Sequence, residues 1–280
     1  MKRIICIIAA IVAGIHALDA AVKIDSAPEY GANVQRVIIP EAITMLGVAD
    51  TIYVALPQDY DSAKSYKTVY LLHGLDASPT TYLAHYGTAG EASRLGLVIV
   101  HLNAHKDMWY LNSTDPHGPQ YRSYFFSMLM PAIAGQYAID KAKTYLCGLS
   151  MGGHGAMTLF EDHPELFDGA VSVSGTLELI QTMSGRPSIG RMLGDYADGT
   201  NMEWHRNSAV HNIEKLKNTD GKLILVTCGT SDPMFDASMM FMKRCLQLGV
   251  NAEFRFGEGT HNSAYWHREI PLVLEAISKR

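Results

Sequence analysis

The chain has little of what holds a small or unusual fold together. Its 4 cysteines in 280 residues are too sparse for a disulfide framework, and none stands in the C-x-x-C spacing of a zinc site. Charge is thin as well, at 18% of residues with a net charge of −5. The basic surface that most nucleic-acid binders carry is therefore missing. There is no H-E-x-x-H among its 12 histidines. His101 and His105 are four apart, but on a strand end and a loop rather than on one helix face, so no metal or other cofactor is expected. After residue 20 no apolar run approaches the ~18 residues of a membrane span. What the chain does have is a 48% hydrophobic fraction, ample for a full core and contrary to disorder.

The first twenty residues are distinct. Lys2 and Arg3 form a positive head, Ile4 to Ile15 is an uncharged apolar run, and small residues follow at Ala17, Ala20 and Ala21. That is the layout of a secretory signal peptide. The expectation is cleavage after Ala20 and one domain over 21–280, periplasmic or extracellular and with no stable membrane insertion. Export would remove Cys6 and leave Cys147, Cys228 and Cys245. The first two end predicted strands and read as small core residues.

From Val34 onward short β-branched runs alternate with helical stretches. Eight strands are predicted: Val34–Ile39, Thr51–Leu56, Thr68–Leu72, Leu97–Leu102, Thr144–Cys147, Ala170–Val173, Leu223–Thr227 and Ala252–Phe256. The later ones are continuous apolar runs, as in strands covered on both faces. Helices are predicted over Ser123–Tyr137, Gly152–Asp162, Asp236–Leu248 and Ala264–Ser278. The pattern gives an α/β fold with a mostly parallel eight-stranded sheet, helices on both faces and an antiparallel pair at one edge. Two long connections, near 103–121 and 176–221, interrupt the rhythm. Such excursions in compact domains are commonly functional, and both are expected to shape a pocket.

Gly148-Leu149-Ser150-Met151-Gly152 fits G-x-S-x-G between a strand and a helix, the setting of a nucleophile elbow. A serine hydroxyl needs a base, and the base needs an orienting group. In this architecture the acid and then the histidine follow the serine. Asp232, in the turn after Leu223–Thr227, is the predicted acid, with Asp236 its rival. His261, in the loop after Ala252–Phe256, is the predicted base. The backbone N–H groups of Met151 and of Leu75, after the strand ending His73-Gly74, are the candidate oxyanion donors. His73 reads as a structural or pocket-wall residue and His154 as a solvent-facing residue behind the elbow. Trp109, Tyr110 and Trp266 are the candidate substrate-binding walls, with a packing role the alternative for all three.

These residues resemble a known group. Leu71-Leu72-His73-Gly74, the elbow through Gly153, and Gly229-Thr230-Ser231-Asp232 are similar to the esterase D-type branch of the α/β-hydrolases. So are Trp109 to Ser113, Tyr121, Pro131-Ala132-Ile133 and Trp204 through Leu216. The group includes tributyrin, feruloyl and acetylxylan esterases, S-formylglutathione hydrolases, siderophore esterases and mycolyltransferases. The resemblance implies the same triad, Ser150, Asp232 and His261, and a serine carboxylesterase acting on small acyl or feruloyl esters, including those linked to polysaccharide. An acyltransferase or siderophore esterase shares every group up to the acceptor or substrate. A catalytically silent binding protein of the same shape is the reading from another class. Asn262-Ser263 stand after His261 where the group often has an acidic residue and Trp, which alters one pocket wall.

Overall fold

The computed structural model describes residues 22–196 and 199–280, so the leader expected at 1–20 lies outside the described residues. All eight predicted strands form, and the sheet has nine. In chain order they are β1 (Lys23–Ser26), β2 (Val34–Ile39), β3 (Asp50–Ala55), β4 (Tyr66–Leu72), β5 (Val98–Leu102), β6 (Ile139–Leu149), β7 (Gly169–Val173), β8 (Leu223–Gly229) and β9 (Glu253–Gly257). They lie in the order β1-β2-β3-β5-β4-β6-β7-β8-β9. The additional strand corrects the expected count of eight. β1 is four mostly exposed residues, KIDS, with no apolar alternation to mark it, and it forms by pairing antiparallel with β2. From β5 to β9 every neighbouring pair is parallel.

Alternate strand residues feed the two faces. Tyr70 and Leu72 enter one core cluster with Trp109, Phe160 and Phe241. Val69 and Leu71 enter the other, beneath Tyr82, Ile270 and Leu274. The helices are α1 (Thr80–Tyr86), α2 (Thr88–Leu95), α3 (Tyr121–Tyr124), α4 (Met130–Gln136), α5 (Met151–Asp162), α6 (Leu179–Met183), α7 (Pro187–Leu193), α8 (Glu203–Arg206), α9 (Phe235–Leu248) and α10 (Ser263–Ser278). The helix predicted over Ser123–Tyr137 is broken by a π turn at Phe125–Leu129. There the Met130 N–H reaches the Phe125 carbonyl, five residues back. Pro131 has no N–H, and its ring would strike the carbonyl four residues earlier, so a widened turn relieves the strain. Cys147, Cys228 and Cys245 are free and buried. Burial pushes each thiol up to about 12, which keeps them unreactive core residues.

Candidate active site

β6 runs into α5 through Ser150, whose φ of 55° and ψ of −119° lie outside the regions open to an ordinary residue. The Ser150 N–H donates to the Val173 carbonyl at 2.9 Å, which pins the turn to β7. The flanking glycines are sterically required. A Cβ on Gly148 would strike the Gly152 carbonyl, and one on Gly152 would strike the Leu72 carbonyl on β4. The elbow therefore exists only because the chain crosses itself and its neighbour strand at bare backbone.

The turn presents Ser150 Oγ at 2.9 Å from His261 Nε2. His261 comes from the β9–α10 loop, and its Nδ1 lies 3.0 Å from each oxygen of Asp232. A carboxylate can only accept, so Nδ1 carries the ring proton and the Nε2 lone pair faces the serine hydroxyl. Asp232 sits in the β8–α9 turn with its side chain fully buried. Its Oδ1 also accepts the Met234 N–H at 2.8 Å, which fixes the carboxylate before it meets the ring. Asp236, the rival acid, is exposed in the first turn of α9, while His261 faces Asp232. Three strand ends thus converge on one serine.

Met151 is the first residue of α5, so its N–H has no partner within the helix. Neither this amide nor that of Leu75 meets an acceptor among the described residues. The loop carrying Leu75 is braced from beneath. Ala104 N–H donates to His73 Nε2 at 3.0 Å. The His73 proton is therefore on Nδ1, which donates to the Gly74 carbonyl at 2.8 Å. Burial pulls the His73 pKa down to about 4, so the ring stays neutral and holds this pattern at ordinary pH. The Tyr110 hydroxyl donates to the His73 carbonyl at 3.0 Å.

That contact gives Tyr110 the packing role. It is fully buried and its ring lies so close to α5 that a Cβ on Gly155 would meet it at 2.6 Å. It is a brace and not a cleft wall, because the 103–121 excursion folds inward. Trp109 and Trp266 do line the cleft beside Ser150. Trp266 stands edge-on to His261, at 5.0 Å between ring centres and 88° between planes. His154 also departs from expectation. It is fully buried, because the 176–221 excursion covers this part of α5 and brings the Asn207 carbonyl to 2.7 Å from Nε2.

The cleft has a volume of about 310 Å³. Besides the residues already placed, Met183 and Arg186 line it. Both come from the α6–α7 segment, and no motif marks them in the sequence. Only the length of the excursion pointed to a role there.

A mostly parallel sheet with a serine at the strand–helix elbow defines this chain as an α/β-hydrolase. The family model described as putative esterase matches residues 44–276, and the chain belongs to that family, as a carboxylic ester hydrolase. It is 25% identical over 236 residues to an acetyl esterase of Caldicellulosiruptor saccharolyticus, covering 79% of this chain and 86% of the relative. It is 22% identical over 244 residues to an S-formylglutathione hydrolase of Arabidopsis thaliana, covering 79% and 84%. Among solved structures, a fluorophosphonate-binding serine hydrolase of Staphylococcus aureus matches with a TM-score of 0.76 at 22% identity, over 88% of this chain and 98% of that one.

Proposed function

We propose that the chain is an exported serine carboxylesterase for small acyl groups, acetyl or feruloyl, with Ser150 as nucleophile. The observation that carries this reading is the relay Ser150–His261–Asp232, closed at 2.9 and 3.0 Å. Ser150 Oγ attacks the ester carbonyl as His261 Nε2 takes its proton. Asp232 holds the ring in the correct tautomer and stabilises the imidazolium. The free amides of Leu75 and Met151 receive the oxyanion, and each such donor is worth roughly 3 kcal/mol in the transition state. His261 returns the proton to the leaving alkoxide, then activates water against the acyl-enzyme. A cleft of about 310 Å³ stands at the low end of the ~300–1,000 Å³ of ligand sites, which suits a short acyl group. Export rests on the Lys2-Arg3 head and apolar run alone, and esters on polysaccharide are the substrates it would expose.

The test is a panel of 4-nitrophenyl esters of rising chain length, with methyl ferulate and acetylated xylan. Ser150→Ala should lose roughly 10⁴-fold or more in kcat, together with the covalent adduct that a fluorophosphonate leaves on Ser150. Asp232→Asn should lose about 10³- to 10⁴-fold, and Asp236→Asn about twofold at most. An Ala variant as active as wild type would sink the mechanism, and a larger loss at Asp236 would reassign the acid.

A further inference from the structure

Arginine in this protein is almost always paired. Every other arginine among the described residues has a carboxylate at 3.5 Å or closer. Arg186 has none among the described residues. It is exposed, and it lies on the wall of the cleft that holds Ser150 and His261. Among the described residues, no aspartate or glutamate lines that cleft. The cleft thus carries one unpaired cation and, among the described residues, no opposing carboxylate.

We infer that Arg186 is a specificity residue that binds a carboxylate carried by the ester substrate. The inference rests on the esterase reading and names the substrate class within it: a small acyl ester with an anionic group on its acyl or alcohol side. A guanidinium fits this role because its planar fork meets a carboxylate through two parallel N–H···O bonds. Its place on the short α6–α7 segment, beside Met183, sets it apart from the strand ends that carry the reacting atoms. It can select the substrate without entering the proton relay. Asp195 lies with Arg186 on the neighbouring face of the same segment, yet the two form no ion pair, so the guanidinium has no carboxylate partner among the described residues.

Two matched pairs of esters test this. In 4-carboxyphenyl acetate and 4-carbamoylphenyl acetate the charge, or its neutral replacement, is on the leaving group. In monomethyl adipate and methyl 5-carbamoylpentanoate it is on the acyl side. Wild type should prefer the anionic member of at least one pair by roughly tenfold in kcat/KM, the scale of a charge-assisted hydrogen bond. The preference should shrink in about 0.5 M salt. It should fall toward one in Arg186→Gln, survive in part in Arg186→Lys and invert in Arg186→Glu, with folding of each variant checked by its thermal midpoint. No preference in either pair, or a preference that Arg186→Gln leaves intact, overturns the assignment. Neutral esters cleaved in a Ser150-dependent way without any charge preference would sink this inference alone. Failure to cleave any of the four would remove the small-acyl reading with it.

Discussion

The two excursions that interrupt the α/β rhythm do opposite work. The one near 103–121 turns inward. Ala104, Trp109, Tyr110, Leu111 and Tyr121 are all fully buried, and Trp109 and Tyr110 hold φ values of 55° and 57° to get there. Left-handed backbone at two successive bulky residues is costly, and it persists because the chain is fixed at both sides. The Ala104 amide and the Tyr110 hydroxyl both end on His73. The excursion near 176–221 lies over the first. It leaves Arg186 exposed and Met183 half-buried at the cleft. It is joined to its neighbours by core packing of Ile189, Leu193, Trp204 and Ile213 and by polar contacts such as Thr114 N–H to the Met192 carbonyl at 2.8 Å, Lys215 to Asp162 and His154 to Asn207. The difference teaches a division of labour. One excursion packs beneath His73 and Ser150, and the other sets Met183 and Arg186 on the cleft wall.

The sharpest way to break that contrast is to empty the floor. Trp109→Ala removes a fully buried indole and should cost about 3–5 kcal/mol, a fall of roughly 10 °C in the thermal midpoint for a domain of this size. Gln181→Ala, on the exposed side of α6, should stay within ~0.5 kcal/mol. Equal midpoints for the two variants would erase the distinction. The next effect reads the bond that ties the outer excursion to α5. The Asn207 carbonyl only accepts, so His154 Nε2 carries the proton, and Nδ1 is buried without a partner. Burial lowers the His154 pKa from 6.5 to about 4. The unfolded chain then binds this proton more readily than the folded one. The stabilisation is complete above the unfolded value and is lost as pH falls through about 4, up to about 3 kcal/mol in all. His154→Gln keeps a side-chain donor for Asn207 and cannot titrate. Its midpoint should therefore fall less than that of wild type between pH 7 and pH 4. His73 and His101 are lowered in the same way, so part of the pH dependence remains.

Much of the fold and of the relay was legible in the chain, for physical reasons that differ from element to element. The buried stretches Val69–Leu72, Val98–Val100 and Leu223–Val226 are continuous apolar runs because helices cover both faces of the sheet. Ser150, Asp232 and His261 could be placed because glycine and chain order surround them: Gly148 and Gly152 have no room for a Cβ. β1 was invisible because its order comes from pairing with β2 and from no property of its own four residues. The burial of His154 could not be read from α5, since what covers it arrives from Asn207, 53 residues later. Arg186 carries no local signal either. An arginine is informative here only once every other arginine among the described residues is seen to be paired.

Tyr110 gives the finest test of the division between floor and rim, because the two roles predict different kinetic constants. Tyr110→Phe keeps the ring that packs on α5 and deletes only the hydroxyl that donates to the His73 carbonyl. Losing one buried hydrogen bond should cost about 1 kcal/mol of stability, little enough to leave the protein folded. The carbonyl it releases belongs to the loop that aims the Leu75 amide. A slackened donor is felt when charge builds on the oxyanion and hardly at all in the ground state. The expected result is a fall of roughly fivefold in kcat with KM nearly unchanged. A rise in KM at constant kcat would return Tyr110 to the cleft wall, where the sequence alone had put it, and would make the inner excursion a second rim.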